Sequence, residues 1–427
     1  MLTNQNKIKK LYFSTKISGM LLIYSVIVSI AGLLLQIFAF FIPKINLFVT
    51  GRKDVFSTLK SKIKPDDKTI WFHVASLGEY EQGLPVIEKM KENHPNHKII
   101  VSFFSPSGYE VRKNNTIADA TVYLPLDTLK NAKKFIQLAH PDLVFFIKYE
   151  FWPNYLNELK KQHIPTYLIS GIFREKQAFF KWYGGFYKKA LEAFTHFFVQ
   201  NESSLQLLHQ LGKQNAIISG DTRFDRVASI LEKDNSLDFI AAFKNGKTTI
   251  VAGSSWPKDE ELILNFINSS TADCKFIIAP HNIKLEQIQL LKNNCTKKVL
   301  LFSEKENKNS TDYEVFIIDT IGILTKIYSY ADIAYVGGGF GHPGVHNILE
   351  PATFGIPIVI GPNYSHFAEA TDLVNLKGCI SIKNQEELNF NFQNLIEDKK
   401  TRRERGTICA NFVQKNKGAT HQIIKNL

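Results

Sequence analysis

Residues 69–104 read TIWFHVASLGEYEQGLPVIEKMKENHPNHKIIVSFF. TIWFHVA (69–75) and KIIVSFF (98–104) are short apolar runs without strict alternation, the pattern of strands covered on both faces. Between them, EQGLPVIEKMKENHP spaces its apolar residues as one face of a helix. Strand, helix and strand in that order make a βαβ unit, with parallel strands and a right-handed crossover.

The same rhythm continues through DLVFFIK (142–148), PTYLIS (165–170), THFFVQ (195–200) and AIISG (216–220). ESSLQLLHQLG is another helical stretch, and its Gly212 is a natural stop. The polar stretch from Asp225 to Lys247 interrupts the pattern. It restarts with KTTIVAG (247–253), CKFIIAP (274–280), KVLLF (298–302) and YEVFIID (313–319). DIAYVGG (332–338), IPIVIG (356–361) and GCISI (378–382) complete it. Two such sets predict an α/β chain of two doubly wound domains with a cleft between them. The reading places an anchor at residues 1–50, one domain at 51–225, a linker at 226–246 and a second domain at 247–427. Ligands of such sheets sit beyond the carboxyl ends of the strands, so the loops after each run are the candidates for chemistry.

A length of 427 residues with 44% hydrophobic residues suits two such domains. Lys and Arg number 52 against 40 Asp and Glu, a formal charge of +12 that favours anionic partners: nucleic acid, acidic headgroups or phosphorylated substrates. The four cysteines, Cys274, Cys295, Cys379 and Cys409, form no C-x-x-C pair and have no zinc spacing. Neither a disulfide nor a metal site is expected.

From Ile17 to Pro43 there is no charged residue, and MLLIYSVIVSIAGLLLQIFAFFI starts at Met20. As a helix it is long enough for a hydrocarbon core of about 30 Å. It lacks the small-residue cleavage site of a signal peptide, so a retained anchor is expected. Lys7, Lys9, Lys10 and Lys16 precede it, and Lys44, Arg52, Lys53, Lys60, Lys62 and Lys64 follow it. With both flanks basic, the positive-inside rule leaves a full span and a helix embedded in one leaflet equally open.

Four loops carry candidate chemistry. In Ser76-Leu77-Gly78-Glu79, Glu79 is either a base at the end of the first strand or the acid of an S-x-x-E capping box. In Tyr149-Glu150-Phe151-Trp152-Pro153-Asn154, Pro153 suits a first helical turn and Glu150 faces the same cleft edge. Gly253-Ser254-Ser255-Trp256 opens the second domain, where Ser254, Ser255 and free N–H groups at a helix start suit a phosphate. Gly337-Gly338-Gly339-Phe340-Gly341 would let a ligand approach the backbone, or simply make a tight turn. Beyond it, Glu350 could bind ribose hydroxyls.

Taken in order, these segments resemble the Kdo transferases, glycosyltransferase family 30. The resemblance runs from the hydrophobic amino terminus and Gly51-Arg52-Lys53 through HVASLGE (73–79), SPSG (105–108), YLPLD (123–127) and EFWPN (150–154). QNE (200–202) and GDTRFD (220–225) follow, then DTIGIL (319–324), ADIAYVGGGF (331–340), HNILEPA (346–352) and GIPIVIGP (355–362).

The resemblance implies the GT-B architecture of two facing Rossmann-like domains. It implies inverting transfer of 3-deoxy-D-manno-octulosonic acid (Kdo) from CMP-Kdo to a lipid A precursor, lipid IVA. The acceptor would bind the first domain and the CMP-sugar the second. No cofactor beyond the donor, no metal and no nucleic-acid partner is implied. The implied location is the anionic inner-membrane surface, with the catalytic domains facing the cytoplasm. Glu79 matches the catalytic base, Glu150 the second acid of the family's E-T-E-x-W-P-N segment, and Arg223 the basic residue of its K-F-D segment. Pro280 and His281, Ile321, Gly322 and Ile323, and Asn347, Ile348, Leu349 and Glu350 match segments that hold CMP. Three positions depart from the pattern. Lys148 stands for the first Glu of E-T-E, Pro280-His281-Asn282 lacks the Arg of P-R-H, and Ile321-Gly322-Ile323 lacks the Glu of M-G-E. The alternatives are a GT-B lipid glycosyltransferase using another nucleotide sugar, or an inactive membrane-tethered nucleotide-binding scaffold.

Overall fold

The computed structural model describes residues 2–427, with side chains from Gly19 onward. The side chains of Lys7, Lys9, Lys10 and Lys16, on which the charge of the first flank rests, lie outside the described residues.

The chain divides into two compact units, residues 1–226 with 418–427, and residues 227–417. The first holds seven parallel strands: β1 (Lys68–Val74), β2 (His97–Phe103), β3 (Ala120–Tyr123), β4 (Leu143–Ile147), β5 (Thr166–Gly171), β6 (His196–Val199) and β7 (Ala216–Ile218). Their order is β3-β2-β1-β4-β5-β6-β7. The lack of alternation in TIWFHVA has a direct cause. Trp71 and Phe72 point to opposite faces and both are fully buried, Trp71 in the core with Phe146 and Phe72 in the core with Phe145. Phe72 and Phe145 are register partners on β1 and β4, and their rings stack at 4.7 Å.

The second unit repeats the plan with β8 (Thr248–Ser255), β9 (Cys274–Pro280), β10 (Val299–Leu301), β11 (Val315–Ile317), β12 (Ile333–Val336), β13 (Ile358–Ile360) and β14 (Cys379–Ser381). Their order is β10-β11-β9-β8-β12-β13-β14. The strand order reverses between β1 and β4 in the first sheet, and between β8 and β12 in the second. These are the topological switch points, where open α/β sheets bind ligands.

Three features differ from the sequence reading. Strand β3, a four-residue ATVY run, was not expected; its mixed composition offers no unbroken apolar run. The polar stretch 226–246 is not a bare linker, because it carries the helix Asp238–Lys244, whose Ile240 and Phe243 are fully buried. Phe243 meets Phe316 of β11 at 5.2 Å. The last ten residues return to the first unit instead of ending the second. Asp225 accepts hydrogen bonds from Thr420 N (2.7 Å), Thr420 Oγ1 (2.8 Å) and Gly418 N, which caps the helix Ala419–Lys425. Ile423 of that helix is fully buried in the core beside β1.

Candidate active site

The first switch point brings together the loops after β1 and β4. Glu79 lies in the first turn of the helix Leu77–Asn93 and is buried. The expected capping box does not form there: Ser76 makes no side-chain cap bond and donates its hydroxyl to the Glu79 carboxylate. Across the strand gap, Lys148 Nζ is 3.9 Å from Glu79 Oε1. Lys148 sits directly after β4 with φ +69°, a left-handed conformation that costs an L-residue roughly 1–3 kcal/mol and recurs at functional sites. The turn it makes carries the chain into Glu150.

Glu150 is held from the sheet side. Its Oε2 accepts the indole N–H of Trp152 at 3.0 Å and lies 3.4 Å from His73 Nε2. Trp152 Nε1 also lies 3.0 Å from His73 Nε2. His73 is fully buried on β1, with Nδ1 2.9 Å from Ser102 Oγ on β2. Ser102 in turn accepts the Trp71 indole N–H at 2.7 Å. Phe104 fixes the other side of Trp152, ring centre to ring centre 4.7 Å. The two carboxylates thus stand on neighbouring strand ends, one beside a hydroxyl and a cation, the other fixed by aromatic nitrogens. His73, Ser102 and Trp152 had no assigned role in the sequence reading. The signal was present, since His73 and Trp152 both lie inside quoted segments.

Arg223 is bound by Asp221, with Nε and Nη2 at 2.8 and 2.7 Å from Oδ2. Asp221 also accepts Gln82 Nε2 at 2.7 Å, and Gln82 belongs to the same helix as Glu79. The GDTRFD segment therefore does two jobs: Asp221 ties Arg223 to the Glu79 helix, and Asp225 caps the terminal helix.

In the second unit, the loops after β8 and β12 meet at their switch point. Gly337 N donates to Gly253 O at 2.9 Å. The glycines are accounted for by loop packing. A Cβ on Gly337 would lie 2.3 Å from Ser254 O, one on Gly338 2.4 Å from Gly344 O, and one on Gly339 2.7 Å from the Gly361 backbone. The expectation of free N–H groups after β8 is not met at two positions. Trp256 N donates to Asp259 Oδ2 at 2.9 Å, and Pro257 has no N–H. The same buried Asp259 accepts Gly338 N (2.8 Å) and Tyr335 Oη (2.7 Å). Ser255 Oγ donates to Glu260 at 3.0 Å, and Ser254 takes φ +52°.

Pro280 is buried and His281 is exposed. The His281 ring lies over both Trp256 (4.8 Å, 14°) and His346 (4.4 Å, 29°). Trp256 and His346 are nearly coplanar and joined by an Nε1–H···Nε2 hydrogen bond of 2.9 Å. That bond needs an unprotonated His346 Nε2, in keeping with a pKa pushed down to about 4 by burial and then by His281. Burial also lowers His281. Three flat rings thus build a platform beside β9.

Glu350 accepts Thr325 Oγ1 at 2.7 Å and Asn347 Nδ2 at 3.0 Å. Asn347 Oδ1 accepts Leu349 N at 3.1 Å, while Ile348 and Leu349 are buried supports. Thr325 belongs to the short helix Leu324–Tyr328, which follows the tight turn at Gly322 (φ +93°). Ile321 stands 83% exposed in that turn, and Ile323 is half-buried.

Two doubly wound parallel sheets with loops gathered at both switch points define the GT-B class. Solved structures share that fold. The UDP-GlcNAc 2-epimerase from Neisseria meningitidis bound to UDP-GlcNAc matches with a TM-score of 0.59 at 14% identity, covering 84% of this chain and 99% of that one. MurG from Acinetobacter baumannii matches with a TM-score of 0.51 at 12% identity, covering 84% and 98%. The family model for 3-deoxy-D-manno-octulosonic-acid transferase matches residues 51–226. A 3-deoxy-D-manno-octulosonic acid transferase of Rickettsia bellii is 30% identical over 329 residues, 75% of this chain and 77% of the relative. That of Chlamydia trachomatis serovar D is 30% identical over 373 residues, 83% and 84%. That of Aquifex aeolicus is 27% identical over 348 residues, 80% and 90%. The chain belongs to the Kdo transferase family of glycosyltransferases.

Proposed function

We propose that this chain transfers Kdo from CMP-Kdo to a hydroxyl of a lipid A precursor, lipid IVA, with inversion at the anomeric carbon. The observation that carries this reading is Glu79, a buried carboxylate at the switch point between β1 and β4, beside Ser76 and Lys148, in a chain of this family. Glu79 takes the proton of the acceptor hydroxyl as the oxygen attacks the anomeric carbon. The bond from that carbon to the CMP phosphate oxygen breaks, and CMP leaves with the electron pair. A positioned base of this kind contributes typically ~10²–10⁴-fold. Glu150 orients the acceptor from the adjacent strand end. Arg223 and Lys148 offset the negative charge of the sugar carboxylate and the departing phosphate.

In this reading the second unit holds CMP, with Glu350 on the ribose hydroxyls and the segments at Pro280-His281 and Ile321-Gly322-Ile323 around the nucleotide. No resident cofactor or metal is part of the proposed reaction. The amino-terminal helix, with mean hydropathy 2.4 over Gly19–Phe38, keeps the enzyme on the anionic inner face of the membrane where such an acceptor resides.

The test is mass spectrometry of the lipid product after incubation with CMP-Kdo and a tetraacylated lipid A precursor. The expected result is a mass increase of one or more Kdo residues. Transfer from a UDP-sugar with none from CMP-Kdo would overturn the donor assignment. Nucleotide binding without turnover on any donor would make the chain a scaffold.

A further inference from the structure

We infer that the amino-terminal helix lies in the plane of the membrane, embedded in one leaflet and clasped to the first unit, and does not cross the bilayer. Between Leu21 and Ala39, residues partly or wholly withdrawn from solvent recur every three or four positions. That spacing marks one continuous helix face. Eighteen residue steps at 1.5 Å make the covered face about 27 Å long, nearly the whole length available for a span.

The contacts on that face reach into the domain itself. Tyr24 Oη donates to Asp127 Oδ2 at 3.0 Å, and Asn154 Nδ2 donates to Ser25 Oγ at 3.1 Å. Asp127 is buried and also accepts the N–H groups of Asn154 and Tyr155, each at 3.1 Å. Two turns further on, a Cβ at Gly32 would lie 2.8 Å from Leu126 Cδ1, so the helix presses on the same loop there. A helix crossing the bilayer in this arrangement would carry Asp127, Asn154 and the sheet behind them into hydrocarbon, where polar and ionisable groups are costly. Lying flat keeps the clasp and wets the domain.

The outer face fits a leaflet. Ile27, Ile30 and Leu34 are exposed, and Phe40 and Phe41 at the end of the run are 86% and 77% exposed. A free interfacial helix needs a polar face toward water. Here the protein partly shields the inner face, so the sequence can be apolar nearly all round. The basic flanks follow as well. A flat helix leaves both ends on one side of the membrane, the same side as the Lys44, Arg52 and Lys53 that follow it in the sequence.

A second contact lies beside the first. The helix Gly185–Ala190 packs on the anchor, with Phe186 5.7 Å from the Tyr24 ring. The turn just ahead of it carries Trp182, 95% exposed, and exposed Tyr183. Lys181, Lys188 and Lys189 flank them. Aromatic tips among lysines suit the headgroup level of an anionic bilayer.

The inference rests on the geometry of the first unit and is independent of the donor and acceptor proposed above. The full chain with half-exposed Cys295 changed to Ser is bound to preformed vesicles of phosphatidylethanolamine and phosphatidylglycerol. Single cysteines are placed by Thr3→Cys or Ser57→Cys, and a membrane-impermeant maleimide is added outside. Equal labelling at both sites before detergent is expected. Labelling of Thr3→Cys only after detergent would mean a spanning helix and overturn the inference. In parallel, lipids brominated near the glycerol end should quench tryptophan emission, and Trp182→Phe should remove most of that quenching. Unchanged quenching in Trp182→Phe would exclude the second contact.

Discussion

Lys148 holds its ammonium 3.9 Å from the Glu79 carboxylate, across the two strands between which the first sheet reverses its order. It does so from a left-handed backbone that glycine adopts more easily. A residue kept in a strained conformation beside a candidate base suggests that the charge is worth the strain.

Lys148→Gly separates the two contributions. Relief of the left-handed strain and the greater freedom of glycine in the unfolded chain roughly cancel, each about 1 kcal/mol. The melting temperature should therefore hold or rise slightly while turnover falls, as calorimetry and a transfer assay on the same preparation would show. A large loss of stability would make Lys148 a structural member, and full turnover would leave its charge without a catalytic part.

Glu350 is fixed by Thr325 and Asn347 in the helix that follows β12. Glu350→Ala should weaken CMP-Kdo binding by on the order of tenfold or more, since hydrogen bonds to charged groups contribute about 1.5–3 kcal/mol. Titration calorimetry with CMP measures this without turnover. Unchanged affinity would confine Glu350 to holding the Thr325 turn.

His346 makes stability depend on pH. In the folded chain its pKa is pushed down to about 4. An unfolded imidazole titrates near ~6.5, so between these values the unfolded state binds a proton that the native state refuses. Its contribution is complete above about 6.5 and is lost as pH falls towards about 4, by about 1–2 kcal/mol once partial exposure is allowed for. Urea melts at the two ends of that window should show the slope, and His346→Gln, which still accepts the Trp256 N–H, should flatten it.

Asp225 lies in the same segment as Arg223 but serves the fold. Asp225→Ala removes three hydrogen bonds from the start of the helix Ala419–Lys425, a loss of about 1–2 kcal/mol. Limited proteolysis should then release the last residues first. Wild-type protection of the carboxyl terminus in the variant would show that Ile423 burial alone holds it.

Thirteen of the fourteen strands were legible because each is an apolar run, most of them buried on both faces as Trp71 and Phe72 illustrate. β3 was hidden by its composition, since ATVY carries a threonine and offers no unbroken apolar run. The return of the terminal helix was hidden because it depends on Asp225 and Gly418, 193 positions apart. The carboxylates could be named from local pattern, as Glu79 follows a strand and starts a helix. Their surroundings could not, since His73, Ser102 and Trp152 come from three segments joined only by the sheet. The capping-box pattern was misleading at Ser76 because S-x-x-E fits two geometries, and here the hydroxyl bonds to the carboxylate itself.

Glu79 is where the proposed mechanism stands or falls. Among the described residues its carboxylate has the Ser76 hydroxyl as a hydrogen-bond partner and Lys148 as a charged neighbour. Glu79→Gln keeps the length of the side chain and an oxygen able to accept from Ser76. It removes the capacity to take a proton. If Glu79 only organises its loop, the variant should fold, bind donor and turn over nearly as well as the parent. If it is the base, CMP-Kdo binding should persist while turnover falls by at least ~10²-fold. The loss belongs in the rate constant and not in donor affinity, because the proton moves only as the transition state forms. A pre-steady-state transfer assay alongside CMP titration distinguishes the outcomes. Near-parental turnover by the folded variant would remove Glu79 from the chemistry and leave Glu150, fixed by Trp152 and His73 on the adjacent strand end, as the carboxylate to test next.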